Sequence, residues 1–359
     1  MNPPSVARLA VFVGPERPFD FRSMPLPAPA EGEVLVAISL ATVCGSDLHT
    51  FEGRRNEPTP CVLGHEAVGR VVAVGPGRDP AWVGTRVTWT LADSCGCCPP
   101  CREWELPQKC ERLFKYGHAS IDSGSGLNGC YASHLLLRSG TTVIPLPDEV
   151  TDAMVAPANC ALATMVAATE PLAHGGGIVL IQGAGLLGIY SCALLRQRGW
   201  KRVLVVDPNP ARLEFARAFG GEPLLPSQLE AIRPGSVDAA VELAGIPSVV
   251  ADGMRVLRPG GHYALVGMVH PDSRLDLTGE AIIRKCLTIR GTHNYAPRHL
   301  QQAIDFLTRH AGDWPWESLV SPPFPLTQLE AAFHLARSGR WPRVSVDPAL
   351  TGRPAVAEM

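Results

Sequence analysis

The sequence has almost no excess of charge of either sign and no long apolar run. Over 359 residues, 32 lysines and arginines nearly balance 34 aspartates and glutamates, giving a formal net charge of -2. No basic patch for nucleic acid or an anionic membrane is indicated. No apolar stretch approaches the roughly 20 residues of a membrane-spanning helix, and the first eight residues do not predict a signal peptide. We therefore expect a cytoplasmic protein without nucleic-acid or membrane partners.

Aromatic and charged residues are also few, at 6% and 18%, whereas hydrophobic residues make up 46% of the chain. This composition is typical of a globular protein and excludes a disordered one. At roughly 150 residues per domain, the length predicts about two domains. The 35 glycines and 34 prolines predict many turns and irregular loops.

The hydrophobic pattern differs between the two halves of the chain. In the first half it predicts short strands between Gly/Pro turns: Leu9–Val13, Glu33–Leu40, Ala67–Val74, Arg86–Thr90 and Ser133–Leu137. From Ile178 onward, apolar runs alternate with helical stretches, which predicts a parallel sheet with crossover helices. The predicted strands there are Ile178–Ile181, Val203–Val206, Val237–Val241, Tyr263–Val266 and Leu287–Ile289. The predicted helices are Leu186–Arg198, Ala211–Phe219, Pro247–Leu257 and Thr278–Ile283. The last part predicts helices at His299–Arg309 and Leu326–Ala336 and a strand near Arg343–Val346.

A glycine-rich turn follows the first strand of the second half. It reads Gly183-Ala184-Gly185-Leu186-Leu187-Gly188 and opens a predicted helix. Glycines at these positions let the backbone approach a pyrophosphate at the helix N-terminus. Asp207 ends the next predicted strand, where a carboxylate would bind ribose hydroxyls and repel a 2′-phosphate. The turn therefore predicts a dinucleotide site that prefers NAD, although Arg212 is close enough in sequence to accommodate that phosphate. An ordinary tight strand-to-helix turn is the alternative.

The chain contains eleven cysteines, which in an intracellular protein indicate metal ligands or reactive thiols rather than disulfides. Four of them have the spacing Cys95-x2-Cys98-x2-Cys101-x8-Cys110, typical of a closed four-thiolate zinc site that stabilises the fold. Cys97, next to Cys98, is expected to point elsewhere. Clustered free thiols are the alternative, which their susceptibility to oxidation disfavours.

A second set of residues is competent to bind a metal ion: Cys44, His65, Glu66 and Cys160. An isolated Cys or His is more often a core residue than a ligand. Further polar side chains crowd around Cys44 and His65, however: Ser46, Asp47 and His49. Three protein ligands and one open position would form a catalytic zinc site, in which the metal acts as a Lewis acid on an alkoxide.

Together these motifs resemble the zinc-dependent medium-chain dehydrogenase/reductases, the alcohol and polyol dehydrogenase group. The resemblance rests on Cys44-Gly-Ser-Asp-Leu-His49, Gly64-His-Glu-Ala-Val-Gly-Arg-Val-Val-Ala-Val-Gly75, the four-cysteine lobe, the glycine-rich turn and Asp207, which follow the family order. It implies an α/β protein with an irregular β-barrel (GroES-like) catalytic domain and an inserted Rossmann domain with a doubly wound parallel sheet. The implied bounds are 1–158 for the catalytic domain (zinc lobe at about 94–111), 159–295 for the NAD-binding domain and 296–359 for the return to the catalytic domain.

The resemblance also implies roles for the candidate site residues. Cys44 and His65 are similar to the first two ligands of the catalytic zinc. Cys160 is the better candidate for the third, because Cys160 and Thr164 have the Cys-x3-Thr step of alcohol dehydrogenases. Many polyol dehydrogenases instead have Glu-Pro nearby, where this chain has Ala-Pro.

The remaining polar residues are similar to groups around the family's zinc. Glu66 resembles a carboxylate that lies behind the metal or exchanges onto it, and Asp47 resembles the residue that orients the His65 imidazole. Ser46 is similar to the hydroxyl that takes the substrate proton, with His49 further along the relay. In the cofactor turn, the resemblance assigns NAD contacts to residues 183 and 185–188 and to Asp207.

A finer resemblance concerns the substrate. Leu106–His118 and Ala156–Cys160 look like the phosphonate-catabolism-associated alcohol dehydrogenases. The family fold implies that the stretch after Cys44–His49 and the loop after the zinc lobe lie near the substrate entrance. Four basic residues of these segments are candidates to bind an anionic group of the substrate, in agreement with the finer resemblance: Arg54, Arg55, Lys115 and His118. The planar fork of arginine can grip a phosphonate or carboxylate, whereas two adjacent arginines are otherwise typical of a solvated surface.

The sequence thus predicts an enzyme with two zincs per chain that transfers hydride between NAD and an alcohol/aldehyde or ketone pair. The expected substrate is a small anionic, phosphonate-bearing alcohol, and a polyol- or threonine-type secondary alcohol is the alternative. A non-catalytic dinucleotide-binding relative or a zinc-free reductase would have lost part of the ligand set. Family analogy implies a homodimer or homotetramer.

Overall fold

The computed structural model describes residues 5–172, 175–270 and 272–351. The chain divides into two compact units. The first unit comprises Met1–Cys160, Ala296–Ala311 and Trp316–Met359, and the second comprises Ala161–Tyr295 and Gly312–Pro315. These boundaries lie beside those expected at 158/159 and 295/296. The short segment 312–315 clusters with the second unit instead of with the returning segment.

Short strands dominate the first part of the first unit. The strands are β1 (Val6–Phe12), β2 (Asp20–Pro25), β3 (Val34–Thr42), β4 (Cys61–Val62), β5 (Glu66–Val74), β6 (Arg86–Trp89), β7 (Ala92–Asp93), β8 (Phe114–Lys115), β9 (His134–Leu137) and β10 (Val143–Pro145). The helices are α1 (Gly45–Phe51), α2 (Pro99–Arg102) and α3 (Asp152–Val155).

The second unit alternates strands and helices. The strands are β11 (Ile178–Gln182), β12 (Arg202–Val206), β13 (Glu222–Leu224), β14 (Val237–Glu242), β15 (Leu257–Leu265) and β16 (Thr288–Gly291). The helices are α4 (Ala163–Ala168), α5 (Leu186–Gln197), α6 (Pro210–Ala218), α7 (Pro226–Leu229), α8 (Val249–Val256) and α9 (Gly279–Arg284). All six strands are parallel, in the order β13-β12-β11-β14-β15-β16. This is the doubly wound Rossmann order, so the predicted parallel sheet is confirmed.

The returning segment completes the first unit with α10 (Pro297–Arg309), α11 (Leu329–Ser338), β17 (Phe324–Pro325) and β18 (Ser345–Asp347). β18 pairs antiparallel with β3, in a sheet of order β10-β6-β5-β3-β18-β17 that β9 joins along β3. Smaller sheets pair β2-β1-β4 and β7-β8. Within the described residues, no helix is long and apolar enough to cross a membrane.

An aromatic cluster fixes α1 against the rest of the first unit. The Phe51 ring, at the end of α1, lies 5.5 Å from Phe19 and 5.1 Å from Phe333, which belongs to α11. Phe333 also packs edge-on against Tyr131 at 5.6 Å. These rings are buried, and burial of such large apolar groups is the main stabilising contribution to a core. The cluster thereby holds in place the helix that carries residues 45–51.

Candidate active site

Four potential metal ligands that are far apart in sequence converge in the first unit. Cys44 immediately precedes α1, His65 and Glu66 stand at the start of β5, and Cys160 lies in a wide helical turn, Ala158–Leu162. One donor atom from each lies within 4.8 Å of the others. Thiolate sulfur and imidazole nitrogen are the donors that zinc prefers in proteins, so this donor set fits zinc.

Asp47 connects Cys44 and His65 from within the core. Its Oδ2 accepts hydrogen bonds from the Cys44 amide (3.0 Å) and the Tyr131 hydroxyl (2.9 Å), while its Oδ1 lies 3.5 Å from His65 Nδ1. Burial disfavours protonation of His65, but the charges of Asp47 and Cys44 raise its pKa to about 10. The structure therefore places Asp47 where it can orient the imidazole, as expected from the sequence.

Two local features hold the turns that carry His65 and Cys160. Gly64 has φ +91°, and a Cβ there would lie 3.1 Å from the Tyr131 ring, so the position requires glycine. The Asn159 amide donates to the carbonyls of His65 (3.0 Å) and Trp89 (3.2 Å). Asn159, which the sequence analysis did not single out, thus ties the Cys160 turn to the His65 strand.

Glu66 is fully buried and forms an ion pair with Arg343 of the returning segment. Arg343 donates from Nε (2.8 Å) and Nη2 (3.0 Å) to the two carboxylate oxygens, and Thr42 donates a third hydrogen bond (2.7 Å). Arg343 Nη2 also lies 3.7 Å from Cys44 Sγ. The Cys160 thiol and then Arg343 hold the pKa of Cys44 well below its usual range. Glu66, whose pKa burial raises to about 7, is therefore held by Arg343 beside the other three donors.

The residues of the expected proton relay lie on α1. Ser46 and His49 are half-buried and three residues apart, which places them on the same face of the helix. The backbone carbonyl of Ser46 accepts a hydrogen bond from the Thr50 hydroxyl at 3.1 Å. This contact does not involve the Ser46 hydroxyl.

The four-cysteine lobe lies between β7 and β8. The Sγ atoms of Cys95, Cys98, Cys101 and Cys110 all lie within 4.8 Å of one another. The Sγ of Cys98 is 3.4 Å from that of Cys101 and 3.8 Å from that of Cys110. Four sulfurs about 2.3 Å from a central zinc are about 3.8 Å apart. The lobe therefore fits a four-thiolate zinc site.

Backbone and arginine donors support the thiolates of the lobe. The amides of Cys95 (3.2 Å) and Arg112 (3.3 Å) donate to Cys110 Sγ. The Cys97 amide and the Arg112 side chain lower the pKa of Cys95 to about 5. Cys97 is exposed and stands outside the group of four, and its Sγ accepts from the Arg112 guanidinium at 2.6 Å.

The structure does not bring all four basic residues that were predicted to bind the substrate to one place. Arg54 pairs with Glu52, and more than half of its side chain is exposed. Arg55 Nε lies 2.6 Å from Glu57, which also contacts His118 Nδ1 at 2.8 Å.

Lys115 and His118 lie near the candidate metal ligands. The His118 ring is 5.2 Å from the His65 ring. Lys115 is half-buried, and burial and the nearby Arg55 lower its pKa, while the charges of Cys160 and Cys44 act in the opposite direction. The structure thus brings Arg55, Lys115 and His118 together and leaves Arg54 at the surface.

The glycine-rich turn of the second unit lies at the carboxyl end of β11. Gly183 has φ +111°, and a Cβ at Gly188 would lie 2.0 Å from the Gly183 carbonyl oxygen. α5 begins at Leu186, followed by Leu187, and Gly185 directly precedes it. A Cβ at Gly185 would meet no atom within 4 Å. This arrangement presents backbone amides at a helix N-terminus, as a pyrophosphate site requires.

Asp207 follows β12 and lies beside this turn. It accepts hydrogen bonds from the amides of Ala184 and Asn209, each at 2.8 Å. Its side chain is buried, and Arg212 is exposed on α6 nearby. The structure therefore brings the carboxylate to the turn, as the sequence predicts.

Comparisons with known proteins agree with this geometry. Residues 30–148 match the family model of the alcohol dehydrogenase GroES-like domain, and residues 187–309 match that of the zinc-binding dehydrogenase. An L-threonine 3-dehydrogenase of Idiomarina loihiensis is 30% identical to this chain over 278 residues, which cover 73% of this chain and 76% of the relative. The chain belongs to the zinc-dependent medium-chain dehydrogenase/reductase family. It is an oxidoreductase of the alcohol dehydrogenase type that uses zinc and a nicotinamide cofactor.

Other members of the medium-chain dehydrogenase/reductase family match over nearly the whole chain. A 5-exo-hydroxycamphor dehydrogenase of Pseudomonas putida is 28% identical, covering 96% of this chain and 99% of the relative. The crystal structure of an alcohol dehydrogenase from Thermotoga maritima superposes with a TM-score of 0.88 and 28% identity, covering 95% and 99% of the two chains. The family and the fold class predicted from the sequence are confirmed.

Proposed function

We propose that this enzyme transfers hydride from a small alcohol to NAD and forms an aldehyde or ketone, or catalyses the reverse reaction. The observation that carries this proposal is the convergence of Cys44, His65 and Cys160 on one point, where Cys44 and His65 are buried and Cys160 is half-buried. Glu66 is also there, but Arg343 and Thr42 occupy its oxygens. Three protein donors suit a catalytic zinc, which needs one position for substrate.

The chain's own residues supply binding, orientation and proton transfer. Zinc held by Cys44, His65 and Cys160 would act as a Lewis acid on the substrate oxygen, and NAD at the glycine-rich turn would accept the hydride. Ser46 Oγ takes the hydroxyl proton, and His49, on the same face of α1, passes it toward water. Asp47 keeps the His65 imidazole in place through its 3.5 Å contact.

The proposed cofactor is NAD, supported by the carboxylate of Asp207 beside the turn. A carboxylate there can accept ribose hydroxyls and repels a 2′-phosphate. The second proposed zinc belongs to the lobe, where four thiolates leave no position for substrate and the metal stabilises the fold.

For the substrate we propose a small alcohol that carries an anionic phosphonate group. Lys115, which is half-buried and interacts electrostatically with Cys160 and Cys44, supports an anion there. A threonine-type secondary alcohol is the second candidate, favoured by the 30% identical L-threonine 3-dehydrogenase. L-Threonine and 2-hydroxyethylphosphonate, measured side by side for NAD reduction, separate the two candidates.

The experiment that tests the reaction combines metal analysis with turnover. We expect two zincs per chain in the active protein, and NAD reduction with at least one alcohol of a panel. Cys44→Ser is expected to leave a folded protein that binds NAD, holds the lobe zinc and has no measurable turnover. Cys98→Ser is expected to lose the lobe zinc and to lower the melting temperature by more than about 2–4 °C, the shift that 1 kcal/mol produces in a domain of 150–250 residues.

The matched control is Cys97→Ser, which removes the exposed thiol next to the four ligands. It is expected to keep both zincs and the wild-type melting temperature. One zinc per chain in fully active protein, or full activity of Cys44→Ser, would contradict the proposed sites.

A further inference from the structure

His118 is buried beside the candidate metal ligands with one ring nitrogen unpaired. Its side chain is 4% exposed, and its ring lies 5.2 Å from that of His65, tilted by 32°. Nδ1 is 2.8 Å from a Glu57 oxygen, and because a carboxylate only accepts, Nδ1 carries the proton. Nε2 then has a free lone pair, and it finds no hydrogen-bond partner within the described part of the chain. Buried polar atoms almost always have a partner, so a small molecule is expected to supply one.

Lys115 carries the unbalanced charge of this group. The Glu57 carboxylate already faces the Arg55 guanidinium at 2.6 Å, and Arg54 lies at the surface, where it shares Glu52 with Arg337. Among the residues that the structure describes, no carboxylate forms an ion pair with Lys115. The charges of Cys160, Glu57 and Cys44 attract Lys115, but Glu57 already pairs with Arg55 and the two cysteines are candidate zinc ligands. A half-buried ammonium without a carboxylate of its own favours an anion next to it, because its own solvation is incomplete.

We propose that Lys115 and His118 together recognise a second polar group of the substrate. The Lys115 ammonium binds the anionic group, and His118 Nε2 accepts a hydrogen bond from a hydroxyl or ammonium on the same molecule. Glu57 is a positioning residue, since it fixes the tautomer and the orientation of the His118 ring. The substrate class is therefore a small alcohol with an anion and a neighbouring hydrogen-bond donor. This inference rests on the proposed function and deepens it.

This assignment separates the basic residues by task. Arg55 acts through Glu57, because their ion pair fixes the carboxylate that holds His118. Lys115 supplies the charge that meets the ligand, and its position on β8, directly after the four-cysteine lobe, links substrate recognition to an intact lobe. Arg54 has no part in it.

The first experiment compares alcohols that carry a carboxylate with the matched amides, and adds one phosphonate. With NAD, we would measure kcat/KM for L-threonine and L-threoninamide, for 3-hydroxybutyrate and 3-hydroxybutanamide, and for 2-hydroxyethylphosphonate. Lys115→Met is expected to lower kcat/KM for the members that carry a carboxylate or phosphonate by about ten- to a hundredfold, and to change kcat/KM for the amide members by much less. Lys115→Arg, which keeps the charge, is expected to retain most of the preference. Lys201→Met, at an exposed lysine of the second unit, should change none of these values.

The second experiment tests the positioning role of Glu57. Glu57→Ala frees the His118 ring and is expected to raise KM for L-threonine by a larger factor than KM for 2-butanol, which lacks the second polar group. The side-chain oxygen of Gln in Glu57→Gln can still accept the hydrogen bond from Nδ1–H, so this variant is expected to keep KM for L-threonine close to the wild-type value. His118→Asn should reproduce the effect of Glu57→Ala. Zinc content and melting temperature, measured for every variant, show that each one is folded and loaded.

The outcomes distinguish this inference from the proposed function. If the wild type turns over amides and anions equally well, or if Lys115→Met affects both alike, Lys115 does not recognise an anion although the enzyme is an alcohol dehydrogenase. If no alcohol reduces NAD, the proposed function fails. In that case the anion site is tested without turnover, by calorimetric measurement of the binding of inorganic phosphate and of L-threonine to the zinc-loaded protein. Tenfold weaker binding by Lys115→Met supports the site, and unchanged binding refutes it. A preference for phosphonate over both carboxylates, or the reverse, identifies the anion.

Discussion

Asp207 is a residue with a structural task in addition to its proposed role in cofactor choice. One carboxylate oxygen accepts a hydrogen bond from the backbone amide of Ala184, in the glycine-rich turn. The other accepts one from the backbone amide of Asn209, which precedes α6. We expect Asp207→Asn to keep an acceptor for one of these amides while removing the negative charge. The ratio of kcat/KM for NAD to that for NADP should therefore fall roughly 5- to 150-fold, which corresponds to about 1–3 kcal/mol.

Steady-state kinetics with both cofactors checks this prediction, and Asp207→Ala provides the comparison. Ala cannot accept either amide, so this variant should lower the melting temperature as well as the cofactor preference. A wild-type enzyme that already prefers NADP would show that Arg212, or another neighbour, outweighs the carboxylate.

The chemistry of single residues explains which parts of the site were predictable. Cysteine and histidine are the common zinc ligands, so Cys44, His65 and Cys160 were candidates from the sequence alone. Arg343 and Glu57 carried no such signal, because arginine and glutamate are common surface residues. Their roles depend on contacts across the fold: Arg343 meets a carboxylate 277 positions earlier in the chain.

At the scale of elements, the junction of β11 and α5 depends on two glycines for different reasons. A Cβ at Gly188 would lie 2.0 Å from the Gly183 carbonyl oxygen, whereas a Cβ at Gly185 would meet no atom within 4 Å. Gly188→Ala is therefore expected to push helix and strand apart and to destabilise the protein by about 1–3 kcal/mol.

Gly185→Ala is the matched comparison at this junction. It should leave the melting temperature unchanged but weaken NAD binding, since the added methyl group faces the space where the pyrophosphate would approach. Thermal melts and NAD titrations of the two variants check this separation. Equal losses of stability in both would contradict it.

The elements were predicted well where the hydrophobic pattern is unbroken and less well where proline or glycine interrupts it. β5 and α5 differ from their predicted bounds by a single residue. β13, Glu222–Leu224, was missed because it is three residues long, contains a proline and lies at the sheet edge. β15 begins at Leu257, six residues before the predicted start, because a Pro-Gly-Gly sequence hides its first half.

For the whole molecule, we expect a homodimer or homotetramer in which the second unit contributes a contact surface. β16 is the last strand of its sheet, and in the described residues it pairs with β15 alone. Large apolar side chains of the segment that connects β15 to β16 are exposed, among them Ile283 (75%) and Val269 (65%). Exposed apolar groups beside a free strand edge favour contact with a second copy.

Light scattering after size exclusion checks the assembly. The wild-type mass should be two or four times 38.3 kDa. Ile283→Glu should shift the mass toward the monomer without a loss of zinc, whereas Lys201→Met should not change it. A wild-type monomer at micromolar concentration would contradict the prediction.

Composition and periodicity alone indicated two successive domains, one rich in strands and one with a parallel sheet. They did not show that the second is inserted into the first, because no local pattern marks β18 as a partner of β3. The family resemblance supplied that expectation. Pairing between segments about 300 residues apart is a property of the folded chain and leaves no periodic signal in either segment.

The ion pair of Glu66 and Arg343 has a consequence for biosynthesis. The two residues are 277 positions apart, so a ribosome adding roughly 5–20 residues per second makes them about 14 to 55 s apart. By the later part of that interval the nascent chain carries Cys44, His65 and Cys160, but the Glu66 carboxylate still lacks the Arg343 guanidinium with which it is buried. The second unit, which is continuous except for four residues, can fold while translation proceeds. We therefore expect the environment of the catalytic centre to be completed only after Arg343 has been synthesised, later than the second unit can fold.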